Sequence, residues 1–424
     1  MRGFRKRVAT PRAPHPPTER SAGRAAAALS AIALLVAGLI TLELYRNPIP
    51  LPASRPGVTS ETPTSTVVGE TTEPSTAVVS SPRIAVPGTL AFVKSGNLWV
   101  QSGTRATQLT DSKDGAAASQ PAWSPDGQWI YYIESRTKTA SWFNPDDGGV
   151  ISDYTLNCPV LCRIRPDGTG GQDILSSLVK SGSLESFFWI RQPSISPDGL
   201  TAAVISDGPT GPGLVGSGDT VLHFVNLQTG QLQPALPLRE NPPLGQSDPA
   251  FSLDGTKIAY VMEGRNGADG APAIWLYDLE TGKARLLADG FRGPSWSPDG
   301  KYPAATRVSG SLLDVVILDA ETGKQVGRVT YDGFSWAPVW SPAGDELVYS
   351  HLSSTVVDLY MTHVSRSGIE LEFQSEPNLA EYSGLDGDSK AAWYIPAPGS
   401  VSAPMTSAPA ASTVPSATET TGAS

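Results

Sequence analysis

Cysteine and histidine are scarce in this chain: 424 residues hold 2 Cys and 4 His. Two cysteines exclude a disulfide-built scaffold and leave no Cys-rich zinc motif. Only His223, His351 and His363 lie beyond residue 24. None belongs to a His-Glu-x-x-His pair, and the chain has neither a P-loop nor a Gly-x-Ser-x-Gly elbow. No catalytic residue, metal ligand or cofactor is therefore assigned from the sequence. Charge is sparse too, at 17% Asp, Glu, Lys and Arg. Positive charge gathers at one end, where Arg2, Arg5, Lys6, Arg7, Arg12, Arg20 and Arg24 stand against Glu19, a balance of +6 over residues 1–24. The whole chain carries −10, so the remainder carries −16. That balance argues against nucleic acid or anionic lipid as a partner of the main domain.

There is one long apolar run. Residues 25–42 (AAAALSAIALLVAGLITL) contain no charge, and at about 1.5 Å per residue they span roughly 27 Å, close to the bilayer core. Tyr45 and Arg46 follow, residue types that favour the interface. The run exceeds the apolar core of a cleaved signal peptide, and no Ala-x-Ala-like site follows it. Residues 25–45 are read as an uncleaved transmembrane signal-anchor helix. The basic leader 1–24 then stays in the cytoplasm, and everything beyond the anchor lies outside. Residues 46–86 are rich in Pro, Ser, Thr and Val and nearly free of aromatics, the composition of a disordered tether. Residues 397–424 have the same composition and the same reading.

Proline and glycine, by contrast, are plentiful, at 38 and 42 residues, and they recur in a pattern. Residues 120–127 read QPAWSPDG, and variants follow at 192–199 (QPSISPDG), 248–255 (DPAFSLDG), 293–300 (GPSWSPDG) and 337–344 (APVWSPAG). A short apolar run follows each copy, such as 257–261 (KIAYV). In the most regular copy a third strand is expected over 273–278 (AIWLYD), a hairpin turn at Glu280-Thr281-Gly282-Lys283 and a fourth strand over 284–287. Four antiparallel strands per unit describe a propeller blade. The region opens with strands two to four of a blade (89–93, 97–101, 105–109), while Ala391-Ala392-Trp393 resembles Pro121-Ala122-Trp123 and supplies a first strand with no followers. The last strand thus completes the first blade and closes the ring. Trp123, Ile195, Phe251, Trp296, Trp340 and Trp393 occupy the equivalent first-strand position. The expectation is an all-β, six-bladed β-propeller over residues 87–396.

The repeated Trp-Ser-Pro-Asp-Gly followed by an Ile-Ala-Tyr-type strand resembles the TolB-type, WD40-like β-propeller of bacterial envelope proteins and of the propeller half of prolyl-oligopeptidase-like enzymes. The likeness covers roughly residues 88–396. It implies a six-bladed propeller acting as a binding or assembly platform. The anchor, and the lack of an accompanying α/β or TolB-like N-terminal domain, depart from the family pattern, so Tol–Pal membership is not implied.

Asp126, Asp198, Asp254 and Asp299 are read as turn formers: Asp caps its own backbone, Pro sets φ and Gly takes the left-handed position. Ala343 replaces the acid in blade six. Asp146-Asp147 and Asp386-Gly387-Asp388 lack full calcium-loop spacing and are read as solvated loop acids. Cys158 and Cys162 would stand about 13 Å apart if extended, too far to bond. A turn at Pro159 brings them together as a local disulfide stapling an insertion over residues 135–157, with free thiols or an intermolecular bridge as alternatives. Loops leading into the first strands open on one face around the channel. They carry the candidate binding residues Trp189, Arg191, Gln192, Asp248, Phe291, Arg292 and Trp336.

These readings together describe a membrane-tethered, extracytoplasmic, non-catalytic platform for an envelope protein, peptide or polymer. The alternatives are a metal-dependent hydrolase or lyase working in the central channel, and the sensory ectodomain of an envelope signalling pair.

Overall fold

The computed structural model describes residues 84–396 apart from 114, 145–149, 182–183, 209–219, 235, 237–244, 265–269, 368–369 and 377–384. The chain divides into Met1–Thr72 and Glu73–Ser424, and every described residue belongs to the second unit. The leader, the anchor, the tail and most of the linker fall outside the described residues, among which no helix is long and apolar enough to cross a membrane.

Six sheets form six blades. Blade two runs Ala117–Trp123, Ile130–Asn144, Val150–Ile164 and Gln172–Ser176, each strand antiparallel to the next. Blade three has Arg191–Ile195, Thr201–Ser206 and Val221–Asn226; blade four Gln246–Phe251, Lys257–Met262, Ala273–Asp278 and Lys283–Asp289. Blade five has Phe291–Ser295, Ala304–Ser309, Leu312–Leu318 and Gln325–Arg328. Blade six has Ser335–Trp340, Glu346–Ser353, Val356–Ser367 and Glu370–Glu376. Blade one joins the two ends of the propeller: Ala392–Tyr394 is its inner strand, beside Val86–Lys94, Asn97–Gly103 and Arg105–Gln108. The closing ladder pairs Thr89 with Tyr394, Leu90 with Trp393 and Ala91 with Ala392.

The core is a ring of inter-blade layers. In the second strand of blade three, Ala202 and Val204 pack with Tyr131 and Leu161 of blade two, while Ala203 and Ile205 pack with Ile258 of blade four. A strand buried on both faces cannot alternate polar with apolar, which is why every octapeptide is followed by an apolar run.

The octapeptide's conserved chemistry is local. Ser124, Ser196, Ser252 and Ser297 each donate from Oγ to the Oδ1 of the following Asp126, Asp198, Asp254 or Asp299, at 2.5–2.7 Å. The Asp Oδ1 also accepts the N–H two residues on, as from Leu200 and Thr256. These bonds hold the carboxyls of Asp198 and Asp254 below their usual range. Their stabilisation is complete at neutral pH and is lost as pH falls through those lowered values. In blade six Ser341 bonds Asp345 at 3.0 Å instead, because Ala343 offers no carboxylate. The turn glycines lie against the preceding blade: a Cβ on Gly199, Gly255 or Gly344 would meet Pro125, Pro197 or Pro298 at 3.7, 3.6 and 3.2 Å. Blade four carries Leu253 in place of that proline, and Gly300 has nothing within 4 Å. In the outer hairpin turns, a Cβ on Gly230 or Gly323 would overlap the carbonyl oxygen of Ile174 or Leu287 in the blade before.

Two expectations are corrected. Residues 135–157 do not form an insertion that needs a staple: the second and third strands of blade two simply continue, paired in register from Ile130–Ile164 to Asn144–Val150. Pro159 sits within that ladder opposite Ser135 and makes no turn. Cys158 and Cys162 therefore share one extended strand, both buried and not bonded to each other, and the local disulfide does not form. In blade three, the fourth strand is reduced to a bridge between Val225 and Leu232. Pro234 lacks the N–H a ladder needs, although Gln233 N–H still reaches Phe224 O at 2.7 Å.

Two tests follow from this packing. Gly323→Ala adds both left-handed strain and a backbone overlap, whereas Gly300→Ala adds only strain of about 1–2 kcal/mol; urea denaturation should show the first variant clearly less stable. Both thiols should resist an aromatic disulfide reagent in the native protein and react in urea without prior reduction. A reagent count that rises only after reduction would mean that they are bonded.

Candidate functional site: the channel mouth

Alternation of strand direction sorts the connections. The Ser-Pro-Asp-Gly turns and outer hairpin turns lie on one face, and the loops leading into inner strands lie on the other, with the second-to-third-strand connections. The first residue of each octapeptide faces the channel. Gln120, Gln192, Asp248 and Ala337 adopt φ of 54°, 55°, 51° and 52°, and Gly293 adopts 60°. A proline follows each, and the ladder slips at each, as between Ser119 and Ala122 or Ser247 and Ala250. Left-handed backbone costs a non-glycine residue roughly 1–2 kcal/mol, and here hydrogen bonds around the ring offset it. Gln192 N–H donates to Gln120 Oε1 at 2.7 Å, and Asp248 N–H to Gln192 Oε1 at 3.0 Å. Gly293 N–H donates to Asp248 Oδ2 at 3.1 Å, while Gln192 Nε2 donates to Asp248 Oδ1 at 2.6 Å. Gly293 has no side chain to pass on, so Thr306 Oγ1 accepts from Ala337 N–H at 3.0 Å.

The sixth ring position belongs to Lys390, three residues before Trp393 as Gln120 is three before Trp123. Its Nζ donates to the carbonyls of Gly293 at 3.3 Å and Pro294 at 2.8 Å. Ser389 Oγ accepts Gln120 N–H at 2.7 Å. Asp248 and Lys390 line a cavity of about 80 Å³ with Gln120, Gln192 and Asp388. Both are half-buried and line the cavity, and desolvation is the largest influence on each. It raises the Asp248 carboxyl, against the opposing pull of Lys390 and Arg292. It lowers the Lys390 ammonium to about 8, against the attraction of Asp248. A cavity of this size holds a few waters and falls well below the several hundred Å³ of ordinary substrate pockets.

The other candidate residues divide by burial. Trp189 is 48% exposed, its N–H fixed by Asp207 at 2.7 Å and its ring edge-on to Phe187. Arg292 is exposed and pairs with Glu263 at 3.2 Å, which also accepts from Ser247. Gln192, Asp248 and Arg292 thus come together at the channel, with Glu263. Arg191 is half-buried, its Nη2 held by Thr220 at 2.7 Å. Phe291 packs into the layer between blades four and five. Trp336 is half-buried and donates Nε1 to Gly387 O at 2.7 Å. Asp386 Oδ2 caps Gly96 N–H at 2.9 Å, and Asp146-Asp147 falls outside the described residues.

The same face carries aromatics that sequence reasoning weighed less. Tyr331 and Phe334 are 74% and 51% exposed, with Leu312 at 49% beside them. Their loop is fixed from beneath: buried Asp314 accepts from Gly333 N–H and from Arg328 Nη2 at 2.7 Å, and Asp332 accepts from Phe334 N–H at 2.6 Å. Lys390, Glu263 and Thr306 were also missed, since nothing in the local sequence marks a partner in another blade. A second hollow, of about 760 Å³, opens on the opposite face between blades two and three. There Arg163 stacks on Trp129 at 4.2 Å and donates twice to Gln172 Oε1, facing the turn carboxylates Asp126 and Asp198.

The histidines stand apart. His223 Nδ1 lies 2.9 Å from Gln233 O in blade three; in blade six His351 Nδ1 lies 3.0 Å from Ser335 Oγ and His363 Nδ1 3.2 Å from Glu346. Among the described residues no three His, Cys, Asp or Glu side chains converge as metal ligands would.

A closed ring of six blades, five of four strands and one of three, defines a six-bladed β-propeller. The chain is similar in sequence to TolB proteins over a short stretch. It is 33% identical over 79 residues to the Tol-Pal system protein TolB of Francisella tularensis, which is 18% of each chain. To the uncharacterized peptidase YuxL of Bacillus subtilis it is 31% identical over 110 residues, 24% of this chain and 16% of that one. The matched stretches thus span under a fifth of these relatives' lengths. TolB from Acinetobacter baumannii superposes with a TM-score of 0.48 at 19% identity, covering 72% of this chain and 66% of that one. No family model matches the chain.

The pH dependence of Lys390 has a definite sign. Below pH 8 the ammonium is protonated folded and unfolded alike. Between about 8 and its ordinary 10.5 the unfolded chain binds the proton that the folded chain has released. Stability from this group therefore rises with pH in that window. Urea midpoints at both ends should show the rise in the native protein and a smaller one in Lys390→Met; equal slopes would contradict the assignment.

Proposed function

We propose that this chain is a membrane-tethered, extracytoplasmic binding platform whose channel-mouth face receives an envelope protein, peptide or polymer, without catalysis. The observation that carries the reading is the rigid display of exposed aromatic side chains, Trp189 over blade three and Tyr331 with Phe334 over blade six, on loops already fixed by hydrogen bonds. Aromatic anchors that lose little entropy on binding are the usual centres of recognition surfaces. The charge-free run over residues 25–42 supports the tether, and the net −16 of the remainder favours a neutral or cationic partner surface. TolB of Francisella tularensis is by name a component of the Tol-Pal system, and a platform role agrees with that likeness. The competing reading, an enzyme working in the channel, requires room for substrate beside Asp248 and Lys390, where the cavity measures about 80 Å³.

A photo-crosslinker placed beside Trp189 in the full-length protein, in native envelopes, should capture a discrete set of partners. Trp189→Ala and Phe334→Ala together should reduce capture at least tenfold, about what losing 1.4 kcal/mol implies, with folding unchanged. The same partners captured in the same yield would place binding elsewhere.

A further inference from the structure

We propose that the channel of this propeller is a seat for a singly charged cation of about ammonium or potassium size, and that the chain fills it with its own Lys390. Three features of the ring make the seat. Lys390 occupies the ring position of blade one, but its side chain passes the neighbouring position, blade six, to reach blade five. That path is open because the ring residues of those two blades are Ala337 and Gly293, the two without long side chains. Elsewhere Gln120, Gln192 and Asp248 fill the ring and are committed to one another.

The wall itself is oxygen-rich. Two backbone carbonyls stand 3.3 and 2.8 Å from Nζ, and Asp248 supplies the nearest opposing charge. Asp388 lines the remaining space. An ammonium has three N–H donors; two meet carbonyls here, leaving one for the cavity. Carbonyl oxygens that replace a hydration shell are the ligands that suit a monovalent ion. A hard divalent ion requires six or more oxygens at shorter range, more than the structure places around Nζ.

The seat also explains why a charged residue stands in the degenerate sixth copy of the repeat. Asp386, Gly387 and Ser389 bond Gly96, Trp336 and Gln120. With Lys390 on blade five, four residues before the closing strand, Asp386, Gly387, Ser389 and Lys390, are tied to blades one, two, five and six. The two hydrogen bonds from Lys390 to blade five are thus a lock on ring closure. The lysine also stops the channel, so a partner at the mouth meets a plugged surface; the seat stands whether or not the platform reading does.

The test is cation rescue of the full-length Lys390→Ala variant. At neutral pH the variant leaves Asp248 without its neighbour, and its Tm should fall by about 5 °C or more. Methylammonium or potassium chloride should restore much of that loss, whereas tetramethylammonium chloride at equal ionic strength, too large for the seat, should not; the native protein should respond equally to all three. If the three salts act alike on the variant, or if its Tm is unchanged, the proposal fails. Should Lys390→Ala not fold, nitrogen-detected NMR of the native protein decides independently. A seated ammonium gives a slowly exchanging Nζ signal distinct from surface lysines, and its absence would overturn the seat.

Discussion

Burial of every second strand on both faces is the constraint on which this structure depends. A blade taken alone would expose one apolar side, and adding blades in a row only moves that side to the end of the row. Closure removes it, so the pairing of Ala392–Tyr394 with Thr89–Ala91 serves the whole ring. The inner tryptophans show the same dependence on the neighbour. Trp123 Nε1 donates to Ala392 O and Trp296 Nε1 to Ala250 O, each in the preceding blade, so these two indole N–H groups are satisfied only when the preceding wedge is in place.

That dependence also explains how far the sequence could be read. The Ser-Pro-Asp-Gly turn is legible because its partners lie within five residues: Ser252 with Asp254, and Lys257 N–H back to Ser252 Oγ. The blade count is legible because Trp393 repeats the position of Trp123. The thiols misled because Pro159 suggests a turn, while the ladder that keeps Cys158 and Cys162 extended is set by a partner strand and not by local preference. The ring position was named at Gln192 and Asp248 but read as surface. Its real occupation depends on contacts between blades, such as Thr306 serving Ala337 because Gly293 cannot, and no local window contains both members.

The channel and its rim accordingly have different duties. The ring residues spend their polar groups on one another, and their left-handed backbones are tolerated because each neighbour supplies a hydrogen bond. The exposed side chains stand at the rim, where Trp189, Arg292, Tyr331 and Phe334 differ from blade to blade. Similar wedges thus present dissimilar loops among the described residues, and the repeat is a frame on which an asymmetric surface is mounted.

The closing ladder has a mechanical side. Val86 begins its strand, and Tyr394 ends its own, on the face of the Ser-Pro-Asp-Gly turns, with Gly88 lying directly against Tyr394 and Ile395. A load between the two ends would peel the ladder from Thr89–Tyr394 inward, one pair at a time, because antiparallel strands held at adjacent ends unzip and do not shear. A load on one end alone would cross the whole sheet of blade one. The ring is therefore weak against a pull that parts its two ends.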